Sequence, residues 1–447
     1  MSRGLTRRGF LARTAVLGAG SAAGLSWADP PTLPLTVPIW TRTQGFFPPL
    51  VGLGPNQIGG EFALPGGLSP KIPVASPGVV ERLFDLGGEA YDSPIMAQKG
   101  IITDNSLFYL VAHGRVPLVN WDPQTRQPVD EHVLVVHGDV RQPTLFTMRD
   151  LMDGFETHDK IHFLECAGNS FRGYKQIGDY ASHTPQLLNG LVSGTKWTGV
   201  LVRDVLDAVG VRKDTEAWVL AEGADGAGLD RSIPIHKMMT DALLAFRQND
   251  QPLQREQGFP LRLIVPGWEG NANVKWLRRL KVGRSPFMTR EEATDYADLV
   301  SVRSTPRARK SQGWHFTMVM EIKSVITSPS PGGAKIQRGE PIDLVGFAWS
   351  GRGKVRKVEV RIGDQVVMAE LEPPIYDRAM TRFRVRNWIW DGFPRRIESR
   401  AHDEFGTQPT HDELVRHRGV SYFYHYNAVF PYRIQKDGTV VNDVAQA

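Results

Sequence analysis

Residues 160–170 read KIHFLECAGNS, an apolar run that ends on Cys166 and passes at once into Ala167, Gly168 and Asn169. The run has the length and content of a buried strand, and the small residues after it let something bulky approach. Cys166 is the only cysteine among 447 residues, so no internal disulfide is open to it. Three readings remain: a small buried apolar filler, a nucleophile beside a histidine and an acid, or a thiolate ligand to a soft metal. A tight turn after a buried strand commonly faces a cofactor, which favours the ligand.

Working outward, HVLVVHG (132–138) reads as a second buried strand and TMRD (147–150) as a capping box opening a short helix. RDVLDAVG (203–210) ends on a glycine suited to terminate a helix. Ile235, Met238, Met239, Ala242, Leu243 and Phe246 follow helical spacing, which predicts a helix across them. Strands and helices therefore alternate over 101–285, an α+β unit. GADGAG (223–228) lacks dinucleotide-binding spacing and reads as a loop. Segment 286–316 carries mixed charge and RSTPRARK (303–310), and reads as a linker. Beyond it, over 317–436, the pattern is all-β. KVEVRIGDQVV (357–367) alternates Val358, Val360 and Ile362 against Glu359 and Arg361, then turns at Gly363–Asp364. With IDLVGFAWSG (342–351) and RIESRAHD (396–403), this predicts an immunoglobulin-like sandwich.

The start of the chain reads as an address. TRRGFLA (6–12) pairs Arg7 with Arg8 before Phe10 and Leu11, a weakly apolar stretch follows, and SWA (26–28) offers a cleavage site. Residues 1–28 are expected to be a twin-arginine signal, which directs a folded protein to the periplasm. Residues 29–100 are expected to form an extended, Pro/Gly-rich arm at their start. The formal charge of +5 includes Arg3, Arg7, Arg8 and Arg13 of the signal, which has no acid; removing those four leaves +1. A nucleic-acid surface needs clustered Lys and Arg on the mature domains, so no nucleic-acid partner is expected. No apolar run after the signal is long enough to span a bilayer.

Common catalytic signatures are missing. Twelve histidines form no His-Glu-x-x-His motif, and there is no Cys-x-x-Cys-His, Walker loop or Gly-x-Ser-x-Gly elbow. A second informative stretch is EQGFPLRLIVPGWEGNANVKWLRRLKVG (256–283), where Arg262, Lys275, Arg278 and Arg279 surround a Gly/Asn-rich turn. Backbone N–H groups and flanking cations suit a phosphate; a solvated basic edge is the equal alternative.

Together, ECAGNS (165–170), TKWTGVLVRDVL (195–206), SIP (232–234), EQGFPLRLIVPG (256–267) and NVKWL (273–277) resemble the sulfite oxidase family of molybdenum enzymes. RSIP, PGWEGN, VKWLRRLKVG, MTREE and FAWSGRG are similar to its sulfane/sulfite dehydrogenase branch. The match runs from about Gly100 nearly to the C-terminus. It implies a molybdopterin-binding domain followed by an all-β dimerisation domain, with molybdenum-molybdopterin as cofactor. By the resemblance, Cys166 ligates molybdenum, while His113, Gln257, Arg262, Asn273, Val274 and Lys275 hold the pterin and its phosphate. Arg384 would be a substrate arginine supplied by the second domain.

The departures bear on the substrate. Val111-Ala112-His113 stands where the animal enzymes have Arg-Asn-His, and Ser170-Phe171 where they have two arginines, leaving Arg172 as a partial replacement. The active-site tyrosine is expected just before Ser232-Ile233-Pro234, where Leu229 and Asp230 stand instead. A less cationic pocket favours sulfane sulfur on a carrier protein's cysteine over free sulfite. The expected reaction is oxygen-atom transfer to sulfur. With no haem motif, electrons must pass to a separate c-type cytochrome, and a homodimer is implied. The rivals are a periplasmic methionine sulfoxide reductase-like molybdoenzyme, which lacks such a second domain, and a cofactor-free binding protein.

Overall fold

The computed structural model describes residues 89–117, 132–176, 179–212, 216–225, 227–302, 311–418 and 424–443. The segment read as a signal and most of the expected arm lie outside the described residues. The arm's last part is built in: Glu89–Tyr91 pairs antiparallel with Leu110–Ala112, and Ile95 and Ile101 are buried.

The first unit stands on two five-stranded sheets. In one, Thr157–Glu165 pairs with Val192–Leu201, which pairs with Leu243–Gln248; Gln251–Pro252 and Arg262–Ile264 complete it. In the other, the order is Thr144–Thr147, Val133–Gly138, Leu277–Gly283, Trp218–Gly223 and Asp230–Pro234. Its single parallel pairing joins Val133–Gly138 to Leu277–Gly283. Both sheets face one core that includes Leu134, Val136, Val200, Leu244, Leu263 and Leu280. The capping box forms as expected: the Thr147 hydroxyl accepts from the Asp150 N–H and the Asp150 carboxylate accepts from the Thr147 N–H. The Val202–Ala208 helix is followed by Gly210 in the left-handed region, φ +69°.

One boundary corrects the helical reading. The helix covers only Ile235–Thr240, and Leu243–Gln248 is a strand. Ala242, Leu243, Leu244, Ala245 and Phe246 are all buried. A central strand flanked on both edges and covered on both faces shows a continuous apolar run, which spacing alone cannot tell from a helix.

Segment 286–316, expected as a linker, carries a π-helical turn at Glu291–Asp295 and an antiparallel ribbon of Ala297–Val302 with Ser311–Phe316. RSTPRARK lies outside the described residues. Glu291, Glu292 and Tyr296 are buried, so the segment is part of the body.

The second unit is a sandwich of two antiparallel sheets. One runs Lys323–Ser328, Pro341–Trp349, Thr381–Ile389, Glu370–Glu372; the other runs Gln365–Met368, Lys357–Ile362, Arg395–His402, Tyr432–Ile434, Val440–Asn442. Their inner faces share a core containing Leu344, Val358, Val360, Phe383, Ile397 and Tyr432. The hairpin turns at Gly363–Asp364 with Gly363 at φ +58°, as its sequence predicts. The units are not separated by solvent: Ile101, Phe163 and Val192 of the first pack with Val325, Phe347 and Trp349 of the second. Among the described residues no helix is long and apolar enough to cross a membrane.

Candidate active site

The turn after the KIHFLEC strand is fixed from several sides. The Cys166 N–H donates to the Leu191 carbonyl at 3.0 Å, and the Cys166 carbonyl accepts from the Asn169 N–H at 2.9 Å. Glu165, fully buried, accepts from Lys323 Nζ at 2.5 Å, Asn169 Nδ2 at 2.9 Å and Trp349 Nε1 at 2.7 Å. The Ala167 carbonyl accepts from the His425 N–H at 2.8 Å. Lys323, Trp349 and His425 all belong to the second unit, so that unit sets the loop bearing the cysteine. A glycine is required opposite: a Cβ on Gly270 would stand 2.7 Å from the Tyr109 hydroxyl and 3.4 Å from Cys166 Cα.

Cys166 lines an open cleft with about 580 Å³ of non-atom space, part of it continuous with solvent. His113, Gln257, Arg262, Asn273 and Lys275 line it as expected. Burial pushes the Cys166 thiol up to about 12, with Glu165 and Glu269 adding to the effect. Without a cation the thiol therefore keeps its proton; a bound metal would displace it.

One end of the cleft is cationic. Arg262 Nε donates to the Asn273 carbonyl at 3.2 Å, and Nη1 donates to the Gln257 carbonyl and side-chain oxygen at 3.2 and 3.0 Å. Among the described residues no carboxylate lies within salt-bridge reach of Arg262, and burial alone lowers it, to about 10. Its guanidinium stands 5.3 Å from the Trp197 ring centroid. Lys275 Nζ, beside it in the lining, donates to the carbonyls of Val111 and Glu256. A buried guanidinium without a counter-charge is costly unless an anion completes it. The site thus fits a phosphate-bearing cofactor, and the lone thiolate donor fits a metal that brings its other ligands with it. Among the described residues no cluster of three His, Cys, Asp or Glu exists to hold a metal by itself.

The rest of the lining offers hydrogen-bonding groups. Asn271, Tyr296 and His113 are among them, with the Tyr296 hydroxyl 3.4 Å from His113 Nε2. Burial holds the Tyr296 phenol well above its ordinary range, so it stays neutral. The residues before Ser232 supply no tyrosine, as the sequence reads, but a phenol the sequence reading did not place reaches the cleft from segment 286–316. Behind this part of the lining lies a buried ion cluster. Arg231 Nε donates to Glu292 Oε1 at 2.6 Å, and Nη1 to Glu269 Oε1 at 2.7 Å and to Asn271 Oδ1. His425 Nε2 stands 2.9 Å from Glu269 Oε2. RSIP, PGWEGN and MTREE, distant in sequence, meet here.

Three expected site residues are elsewhere. Val274 packs into the hydrophobic core, away from its cleft-lining neighbours Asn273 and Lys275. Arg384 is bound on its own sheet by Glu372 at 2.6 Å and Asp343 at 2.8 Å, and does not line the cleft. Arg172 lies in a short turn over the Phe171 ring, its charge acting on Asp92, and is likewise outside the lining. Asn273 lines the cleft, but its side chain is engaged by the turn: Oδ1 accepts from Val265 N–H, and Nδ2 donates to the Trp268 and Glu269 carbonyls. Residues the sequence reading did not place here include Tyr109, Asp225, Asn271, Trp276 and Tyr296. Asp225 belongs to GADGAG, where it accepts from the Leu229 N–H at 2.8 Å.

The fold and cleft define an oxidoreductase of the molybdopterin-binding class, and the comparisons agree. Residues 113–290 match the oxidoreductase molybdopterin binding domain, and residues 315–420 match the Mo-co oxidoreductase dimerisation domain. The solved structure of the sulfane dehydrogenase SoxCD from Paracoccus pantotrophus superposes with TM-score 0.72 at 32% identity, covering 85% of this chain and 94% of that one. Mouse mitochondrial sulfite oxidase is 31% identical over 62% of this chain and 50% of its own length. Barley nitrate reductase [NAD(P)H] is 33% identical over 66% of this chain and 34% of its own. The chain thus spans half or less of these two longer relatives. It belongs to the sulfite oxidase family of molybdenum enzymes, close to the SoxC branch, and its cofactor is molybdenum-molybdopterin.

Proposed function

We propose that this protein is a periplasmic sulfane/sulfite dehydrogenase subunit that oxidises sulfur and passes electrons to a c-type cytochrome. The observation that carries the reading is the pairing of a single cleft-facing thiol with a buried, uncompensated Arg262, in a chain that covers nearly all of a sulfane dehydrogenase structure. Arg262 and Lys275 hold the cofactor's phosphate, Gln257 fixes the guanidinium, and Cys166 is the protein's ligand to the metal. When bound, the cofactor supplies two-electron oxygen-atom transfer. Cys166 loses its proton on binding and is kept in register by the Glu165–Lys323–Trp349 contacts. The neutral Tyr296 phenol is a donor to the substrate's oxygens. The twin-arginine signal and homodimerisation through the second unit belong to the same proposal. So does the reading of carrier-bound sulfane sulfur as substrate, supported by the absence of Arg172 and Arg384 from the lining of the cleft.

The test is purified exported protein assayed with cytochrome c against free sulfite and against a carrier-bound persulfide, with molybdenum measured in parallel. About one molybdenum per chain and turnover of either donor is the expected result. Reduction of methionine sulfoxide, without sulfur oxidation, would sink the proposal.

A further inference from the structure

Just after the Glu89–Tyr91 strand, the chain docks on the Pro185–Asn189 helix at a junction that carries a buried acid. Asp92 is almost wholly enclosed, and Ser93, Gln186 and Asn189 at the same junction are buried too. Gly190 admits the acid: a Cβ there would stand 2.7 Å from Asp92 Cβ and 2.9 Å from its carboxyl carbon. The Ser93 N–H donates to the Gly190 carbonyl at 2.8 Å, but the side chains do not join. Among the described residues, Asp92 Oδ2, Ser93 Oγ, Gln186 Nε2 and Asn189 Nδ2 all lack a hydrogen-bond partner. No donor therefore stabilises an ionised Asp92, and a buried carboxylate without one is costly. The helix and Gly190 carry no titratable side chain. Arg172, on the turn after Cys166, is the one charge that acts on Asp92 among the described residues. Burial outweighs it and pushes the carboxyl up to about 8. The same helix steadies the metal-facing turn, since Asn189 Oδ1 accepts from Ser170 Oγ at 2.7 Å.

We propose that Asp92 is a proton-operated latch: with its carboxyl neutral, residues 91–95 stay docked on the Pro185–Asn189 helix, and ionisation releases them. A carboxyl that holds its proton more tightly when docked than when free favours docking in acid. Docking is then fully favoured below the ordinary carboxylate value of 3.8, and the advantage is lost as pH rises to about 8. Across that window each pH unit makes release about ten-fold easier, and above it the effect levels off. Release loosens Asn189, and with it the Ser170 contact of the cysteine turn. The latch does not depend on which sulfur compound is oxidised.

The test is amide hydrogen exchange of the full-length holoenzyme, read by mass spectrometry from about pH 5 to about pH 8 and corrected for intrinsic rates. In the wild type, peptides covering 89–95 and 185–190 should open about ten-fold more readily per pH unit. In Asp92→Asn, which keeps the shape and cannot ionise, opening should stay level. Arg172→Gln removes the charge that favours ionisation, so its rise should continue to higher pH than in the wild type. A flat wild-type profile overturns the latch, and so does an Asp92→Asn profile that still rises. An equal rise in the Lys357–Ile362 strand means global unfolding and overturns it too. Should Asp92→Asn fail to fold, the other two profiles decide, and identical ones overturn the inference.

Discussion

Arg262 in the cleft and Arg384 on the second unit's sheet carry the same charge into opposite company. Arg384 is partly exposed and donates to two carboxylates, Glu372 and Asp343; Arg262 is buried, stands over the Trp197 ring and donates to carbonyl and side-chain amide oxygens. The neighbouring sheet residues repeat the first pattern, with Arg382 on Glu372 and Arg386 on Glu370. Arg231 is a third case, buried like Arg262 but neutralised like Arg384. Burial alone therefore does not mark a binding arginine. A binding site is marked by burial without a resident counter-charge, which leaves room for an anion to arrive.

The contrast can be broken by experiment. The largest effect is expected at the cleft's centre: Cys166→Ser should keep the fold by circular dichroism yet lose more than about 100-fold in kcat, beyond what second-sphere changes cost. Wild-type turnover in that variant would remove the ligand role. Next comes Arg231→Met, which strands two buried carboxylates and should cost about 3–5 kcal/mol of stability in denaturant titrations. Arg262→Met should do the reverse in cofactor-free protein, leaving stability unchanged or raised, while lowering cofactor affinity about 10- to 100-fold. If Arg262→Met destabilises the empty protein as much as Arg231→Met, the two arginines are equivalent and the comparison fails. The smallest effect belongs to Arg384→Ala, at most about 1 kcal/mol, with kcat/KM for sulfite unaltered. A ten-fold loss there would restore it to the substrate site.

The same distinction explains what the sequence could disclose. The cysteine loop, the capping box and the Gly363–Asp364 hairpin are local, decided by neighbours along the chain, and they were legible. Arg262 and Lys275 were legible as cations beside a tight turn. Arg384 was misplaced because nothing in TRFRV tells which carboxylates await it across the sheet. Val274 was misplaced because a three-residue motif was carried over whole, although its middle side chain packs into the core. Tyr296 reaches the cleft by long-range packing, and the mixed charges around it look like solvated linker. Glu292 could have given a clue only once it was known as the partner of Arg231. The helix that ends at Thr240 shows the remaining limit: a strand buried on both faces has no period to read.

The Ala167 carbonyl is held by His425, a residue made far later than the cysteine it steadies. A nascent polypeptide halted before that point would carry the thiol on a loop still lacking this fastening, so the geometry of the metal-facing turn depends on one of the later segments having docked.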